Sequence, residues 1–194
     1  IITCSRKQDT DYEKFCEELR DKYKTKIHNY FFDLENQEEI SKNIKSILAN
    51  FSRIDVLINN AGINFTSLIE MTSLEKLRKI YNVNFFSTYF ITQKLLKLLK
   101  KSKEPSIINI SSSASIENNI GRFAYASSKQ ILNSFTKTLS KEVGRYKIRV
   151  NAIAPGLTNT KMMKMTTTDK NIEETIKRIP IARIGEPDEI AQLV

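Results

Sequence analysis

The chain has 194 residues, 40% apolar and 27% charged, which is enough for one domain with a substantial core and argues against disorder or a fibrous structure. Thirty-one Lys and Arg against 22 Asp and Glu leave a formal net charge of +9, but the lysines are spread along the chain, so no nucleic-acid partner is expected. No apolar run approaches the roughly 20 residues that span a bilayer and the start lacks a signal-like pattern; the expectation is a cytoplasmic protein with no membrane partner, whose two cysteines, Cys4 and Cys16, are reduced.

In chain order, residues 1–4 read as a short buried strand and 11–23 as a helix, with Phe15, Cys16 and Leu19 at helical spacing. Residues 27–32 predict a second strand, and 37–51 a helix with Ile40, Ile44, Ile47, Leu48 and Phe51 on one face. A strand over 56–58, a long helix over 74–99 and a strand over Ser106–Ile110 follow. A helix over 126–143 carries Ile131, Leu132, Phe135 and Leu139, and a last strand covers 148–153. There is no repeat, low-complexity tract or Pro/Gly-rich linker, so residues 1–194 are expected to form a single domain. Strand and helix alternating in this way predict an α/β protein with a doubly wound parallel sheet.

In such a sheet ligands bind beyond the carboxyl ends of the strands, so the residues just after each apolar run matter most. There the sequence has Asn59-Asn60-Ala61-Gly62, Ser111-Ser112-Ser113 and Pro155-Gly156, and a helix opens with Tyr125-Ala126-Ser127-Ser128-Lys129. Tyr125 and Lys129 stand four apart, which puts both on one helical face. A phenol titrates near 10 when unperturbed, and a neighbouring ammonium favours its ionised form, so the pair suits proton transfer near neutral pH. Any of the three serines could supply a polarising hydroxyl on chemistry alone.

The Asn-Asn-Ala-Gly turn, the serine thirteen residues before the tyrosine, Tyr-x-x-x-Lys and Pro-Gly, in this order and spacing, resemble the short-chain dehydrogenase/reductase family, and the likeness runs the length of the chain. Within that family, residues 54–63 and 150–156 look most like 3-oxoacyl-[acyl-carrier-protein] reductases. The resemblance implies a Rossmann-type, three-layer α/β/α dinucleotide-binding domain that transfers hydride from NADPH to a carbonyl, with a 3-oxoacyl thioester, free or carried on acyl-carrier protein, as first-choice substrate. A sugar, steroid-like or small polyol substrate is the alternative, as is a non-catalytic member of the fold.

By the same resemblance Tyr125 is the general acid, Lys129 favours its ionisation and holds the nicotinamide ribose, and Ser112, selected by its spacing to Tyr125, polarises the carbonyl. Asn84 matches a helix asparagine that holds a proton-relaying water; an ordinary satisfied core amide is its other reading. For the cofactor, Asp33 would meet the adenine amino group or else cap the helix that follows, and Leu34 would contact the ring. Asn60 and Ala61 would pass the adenosine ribose, and Gly62 permits that approach. Thr158 and Thr160, after Pro155 and Gly156, would meet the carboxamide. Ser5 and Arg6 follow the first strand, where a guanidinium can pair with a 2′-phosphate, so NADP is favoured over NAD.

His28 is expected at the surface. Met162, Met163 and Met165 are expected to be exposed, in a mobile substrate-covering loop over 160–168. Arg122 and Lys161 are candidates for meeting an acidic carrier, and the two long helices for pairing subunits in a homodimer or homotetramer. The family's glycine-rich first turn is missing from the sequence, which reads as a fragment trimmed at both ends and expected to bind cofactor poorly by itself.

Overall fold

The computed structural model describes residues 1–117 and 119–194. The chain divides into two compact units, Ile1–Ser52 and Arg53–Val194.

In the first unit, β1 (Ile2–Ser5) is followed by α1 (Thr10–Tyr23), β2 (His28–Phe31) and α2 (Gln37–Asn50). β1 and β2 pair in parallel from Ile2 opposite His28 to Ser5 opposite Phe31. Asp9 accepts from the Asp11 N–H at the start of α1, and Asn36 accepts from Glu38 and Glu39 at the start of α2, satisfying donors that a helix start leaves unpaired. α2 buries Ile40, Ile44 and Ile47, as its spacing predicts. α1 is turned differently from the expected face: Cys16 is buried and Phe15 is 54% exposed. Tyr12 replaces Phe15 on the inner side, its hydroxyl donating to Thr3 and its ring edge-on to Phe31. His28 is exposed at the head of β2, and both cysteines are free.

The second unit begins with β3 (Val56–Asn59), then α3 (Leu74–Tyr81), a five-residue π turn (Asn82–Phe86) and α4 (Ser87–Leu99). β4 (Ser106–Ile110), a short α5 (Ala114–Glu117), α6 (Phe123–Val143) and β5 (Arg149–Ile153) follow. The chain continues into α7 (Lys161–Thr166), α8 (Asp169–Ile176) and α9 (Pro187–Ala191). The strands form a parallel sheet in the order β3, β4, β5. β4 is central and is buried along most of its length, as a parallel strand covered on both faces must be. Leu99, Ile107, Leu139, Val143, Ile148 and Val150 pack into one cluster, with Leu57 and Phe135 against it.

The parallel α/β class agrees with the sequence expectation. Three local differences have physical causes. The helix expected over 74–99 is interrupted by the π turn, the helix expected from 126 begins at Phe123, and the loop expected over 160–168 contains α7. Thr160 caps that helix by accepting from the Met163 N–H; Met163 is buried at 7% exposure, contrary to expectation, while Met162 and Met165 are exposed as expected.

Candidate active site

α6 brings the central pair together. Because it starts at Phe123, Tyr125 lies in its first turn, with Arg122 just before it and Lys129 one turn on. Positions 122, 125 and 129 are three and four apart, so they form one stripe. Tyr125 is half-buried and Lys129 only 4% exposed. The Lys129 ammonium donates to the carbonyl of Ile110, the last residue of β4, at 2.7 Å. Burial pushes its pKa down from the usual lysine value to about 8, because leaving water penalises the charged form.

Asn84, in the π turn, is fully buried. Its Oδ1 accepts from the Ile63 N–H at 2.8 Å, and its Nδ2 donates to the Ile63 carbonyl at 3.0 Å and to the Ser128 hydroxyl at 2.9 Å. Ser128 in turn donates to the Tyr125 carbonyl. The amide therefore clamps the loop after β3 to the first turns of α6, with both of its N–H groups used inside the protein. Single π turns inside α-helices are frequently found at functional sites.

The three serines after β4 are told apart by their contacts. Ser111 is buried and donates to the Lys129 carbonyl at 3.1 Å, bracing α6. Ser112 is half-buried; its hydroxyl accepts from the Ala114 N–H at 3.2 Å and its carbonyl from Ser115, so it starts α5. The Ser113 N–H donates to the Pro155 carbonyl.

A nicotinamide ribose needs donors and room beside Lys129, and the residues of this unit fit that need. An ammonium has three N–H groups, and among the described residues Ile110 is the acceptor recorded for it, leaving donors for a diol. A β-carbon built on Gly62 would lie 3.2 Å from Lys129 Nζ and 3.3 Å from Asn84 Oδ1, so glycine keeps that approach open. Asn60 and Ala61 before it are exposed.

Pro155 is half-buried and Gly156 exposed. Thr158 donates to the Gly156 carbonyl and forms a parallel bridge with Gly185, while the Thr160 hydroxyl oxygen accepts from the Met163 N–H and so caps α7. Nearby, Asn159 donates to Glu186, and Arg183 pairs with Glu189 through both terminal nitrogens. That guanidinium holds the Glu189 carboxyl down at about 2, and Glu189 also accepts from the Glu186 N–H in the capping box that starts α9.

In the first unit, Ser5 donates to the Lys7 carbonyl and Arg6 is exposed. Asp33 accepts from the Glu35 N–H, and Leu34 is half-buried. The capping alternative for Asp33 fails, since Asn36 holds that position.

Sequence reasoning left several members of the second unit unassigned. Asn59 donates to Asn109 and Thr92, and Asn109 donates to Thr136, a buried polar chain joining β3, β4, α4 and α6. Asn109 stands among isoleucines inside a buried strand, which was the available signal. Ser128 was readable only as the neighbour of Lys129. No cluster of three or more metal-ligating side chains occurs among the described residues, and no helix among them is long and apolar enough to cross a membrane.

A profile of short chain dehydrogenases matches residues 1–171. The chain belongs to the short-chain dehydrogenase family. It is 35% identical over 169 residues to the 3-oxoacyl-[acyl-carrier-protein] reductase FabG of Thermotoga maritima, covering 87% of this chain and 68% of the relative. It is 37% identical over 162 residues to carbonyl reductase family member 4 of Xenopus laevis, 84% of this chain and 67% of that one. The 3alpha-hydroxysteroid dehydrogenase of Mediterraneibacter gnavus is 32% identical over 188 residues, 96% and 74% of the two chains. Matches to 3-oxoacyl reductases cover between 62% and 71% of those relatives' lengths. Membership puts the chain among oxidoreductases of the Rossmann-type, three-layer α/β/α class that use a nicotinamide cofactor, in line with its parallel strands and intervening helices.

Proposed function

We propose that the protein reduces a carbonyl with NADPH and that a 3-oxoacyl thioester is its substrate. The observation that carries the reading is the Tyr125 and Lys129 pair on one stripe of α6, with the Lys129 ammonium buried beside Gly62 and held by Ile110. The nicotinamide supplies the hydride when bound. Tyr125 donates a proton from its hydroxyl to the carbonyl oxygen as that oxygen gains charge. Lys129, with N–H groups left over from its bond to Ile110, holds the ribose and keeps positive charge near the phenol. Ser112 donates to the same carbonyl oxygen and fixes its direction. Asn84 holds the loop of Gly62 against α6, so that ribose and proton donor meet in register.

For the rest of the cofactor, the roles are those that the family resemblance implies: Arg6 would pair with a 2′-phosphate, Asp33 and Leu34 would meet the adenine, Asn60 and Ala61 would pass the adenosine ribose, and Thr158 and Thr160 would meet the carboxamide. The motif resemblance supports this assignment. The reading also places the protein in the cytoplasm.

The deciding experiment follows absorbance loss from NADPH with acetoacetyl thioesters on coenzyme A and on acyl-carrier protein, beside a 3-oxosteroid and a sugar ketone. Turnover highest with the thioesters is expected. A preference for the steroid, which the similarity to a hydroxysteroid dehydrogenase makes the second reading, or no turnover with any carbonyl, would overturn the assignment.

We further propose a homodimer or homotetramer. Tyr81, Phe85, Phe86, Tyr89 and Phe135 form one linked set of rings on the π turn, its flanking helices and α6, yet Phe86 is 52% exposed. Such a patch is costly to leave in water. Sedimentation at micromolar concentration checks it, and a monomer contradicts it.

A further inference from the structure

The first turn of α6 carries the proton donor but lacks the usual fastening. Its cap position is Arg122, which makes no side-chain capping bond, so the free N–H groups of that turn gain nothing from the residue before them. The turn is fastened by other means. The Gly121 carbonyl accepts from the Ser67 N–H at 2.8 Å, and Gly121 itself takes a positive φ of 71°, which glycine adopts without steric cost. The Arg122 Nη1 donates to Thr66 Oγ1 at 2.9 Å and reaches Asn64 Oδ1 at 3.4 Å. The guanidinium carbon stands 5.4 Å from the centre of the Tyr125 ring, within the range of cation and aromatic face attraction.

Asn64 extends this fastening. While its Oδ1 faces Arg122, its Nδ2 donates to Thr166 Oγ1 at 2.9 Å, across 102 residues of sequence. Thr166 is the last residue of α7 and donates to the Met162 carbonyl within it. One amide therefore joins the residue beside the proton donor to the end of the helix that holds Met162, Met163 and Met165.

We propose that Arg122 is a positioning residue for the Tyr125 hydroxyl and that Asn64 couples it to α7, so that seating α7 and aiming the proton donor are one event. This rests on the reading of Tyr125 as the acid. The physical cause is the shape of the guanidinium, whose one terminal nitrogen, Nη1, serves both acceptors while the central carbon stays within reach of the aromatic ring. A lysine at this position keeps the charge and cannot span all three. Loss of Thr166's hydroxyl leaves an Asn64 donor unpaired and frees the amide to rotate, which removes the acceptor facing Arg122.

The test uses the protein with 3-fluorotyrosine placed at position 125, in the Arg122→Lys, Arg122→Gln, Thr166→Val and Asn64→Ala backgrounds. The fluorine resonance reports the ring without needing turnover. Arg122→Gln and Thr166→Val are expected to move or broaden it, Asn64→Ala at least as much as either, and Arg122→Lys is expected not to restore it. In turnover without the fluorine label, kcat should fall about tenfold for Arg122→Gln, since small misplacements of reacting groups carry costs of that order. The cofactor dissociation constant and melting temperature should stay close to the parent's. The Arg122→Gln and Thr166→Val effects on kcat should be less than additive, because both act through Asn64.

A resonance at position 125 that ignores Thr166→Val, or fully additive kcat losses, overturns the coupling. A loss confined to KM, or restored by Arg122→Lys, overturns the positioning role. A parent protein that turns over no carbonyl, while the resonance still responds to Thr166→Val, overturns the reading of Tyr125 as the acid and leaves the coupling standing.

Discussion

Asn84 and Lys129 converge on the space above Gly62: a β-carbon there would stand 3.3 Å from the amide oxygen and 3.2 Å from the ammonium nitrogen. The two neighbours differ in how far they can yield. Lys129 Nζ ends a flexible stem, whereas Asn84 is fixed by three hydrogen bonds. Gly62→Ala is therefore expected to push the lysine aside, weakening cofactor binding and turnover more than stability. Gly62→Val should add about 1–3 kcal/mol of destabilisation, as overpacking does. Cofactor titration and thermal melts measure both, and an alanine variant with the parent's cofactor affinity would contradict the account.

Tyr125→Phe is expected to reduce turnover by on the order of 10² to 10⁴, the usual contribution of a positioned acid, with cofactor affinity almost unchanged because the ring and its packing against Arg122 survive. Lys129→Ala should lower both, since its ammonium serves the ribose as well as the phenol. Paired measurements of turnover and NADPH affinity separate the two. Near-normal turnover in the phenylalanine variant would sink the mechanism.

Lys129 also makes stability depend on pH. Its pKa is lowered from 10.5 to about 8 in the folded chain, so between those values the unfolded state binds the proton more tightly and stability rises with pH. Below pH 8 the cost of the buried charge is present in full. Lys129→Met should therefore melt above the parent at pH 7 without cofactor. The gain is at most about 3 kcal/mol at 1.36 per pKa unit, less roughly 1 for the lost bond to Ile110. The difference between the two proteins should shrink from pH 8 to 10.5, and a constant difference would show that the ammonium is not held against its charge.

Arg6→Ala should weaken NADPH binding by tenfold or more while changing NADH binding little, because only the former offers a 2′-phosphate for a guanidinium. The exposure of Arg6 leaves it available for that contact. Equal losses with both cofactors would remove Arg6 from the role.

Strand positions and the buried faces of α2 and α6 were legible because apolar periodicity is a local property of sequence: Ile40, Ile44 and Ile47 are spaced as they are buried. The pair Tyr125 and Lys129 was legible for the same reason, since four residues on a helix fix proximity. The Asn84 clamp was only half legible. The residue could be picked out, but its partners Ile63 and Ser128 lie 21 and 44 residues away, and nothing local sets such pairings. Phe15 misled because helical spacing predicts a stripe without saying which side of it faces inward; the Tyr12 hydroxyl, with Thr3 to bond, settled that. The helix at 161–166 was missed because its methionines resemble a loop's adaptable lining, while the signal that starts it is one threonine hydroxyl.

The π turn also sets a kinetic expectation for the backbone. Its closing bond runs from the Ser87 N–H to the Asn82 carbonyl, five residues back, a wider ring than the four-residue bonds of the helices on either side. Removing one residue from Asn82–Phe86 would restore ordinary winding and leave α3 and α4 nearly in phase, since five residues of a π turn advance about as far around the axis as four of an α-helix, but it would disturb the placement of Asn84, which is fully buried on its bonds to Ile63 and Ser128. The segment is thus held in a poorly bonded form by what its side chains must face. Its amides should exchange hydrogen with solvent ahead of those in the middle of α4, making the stretch that carries Asn84 the first part of the long helix to open.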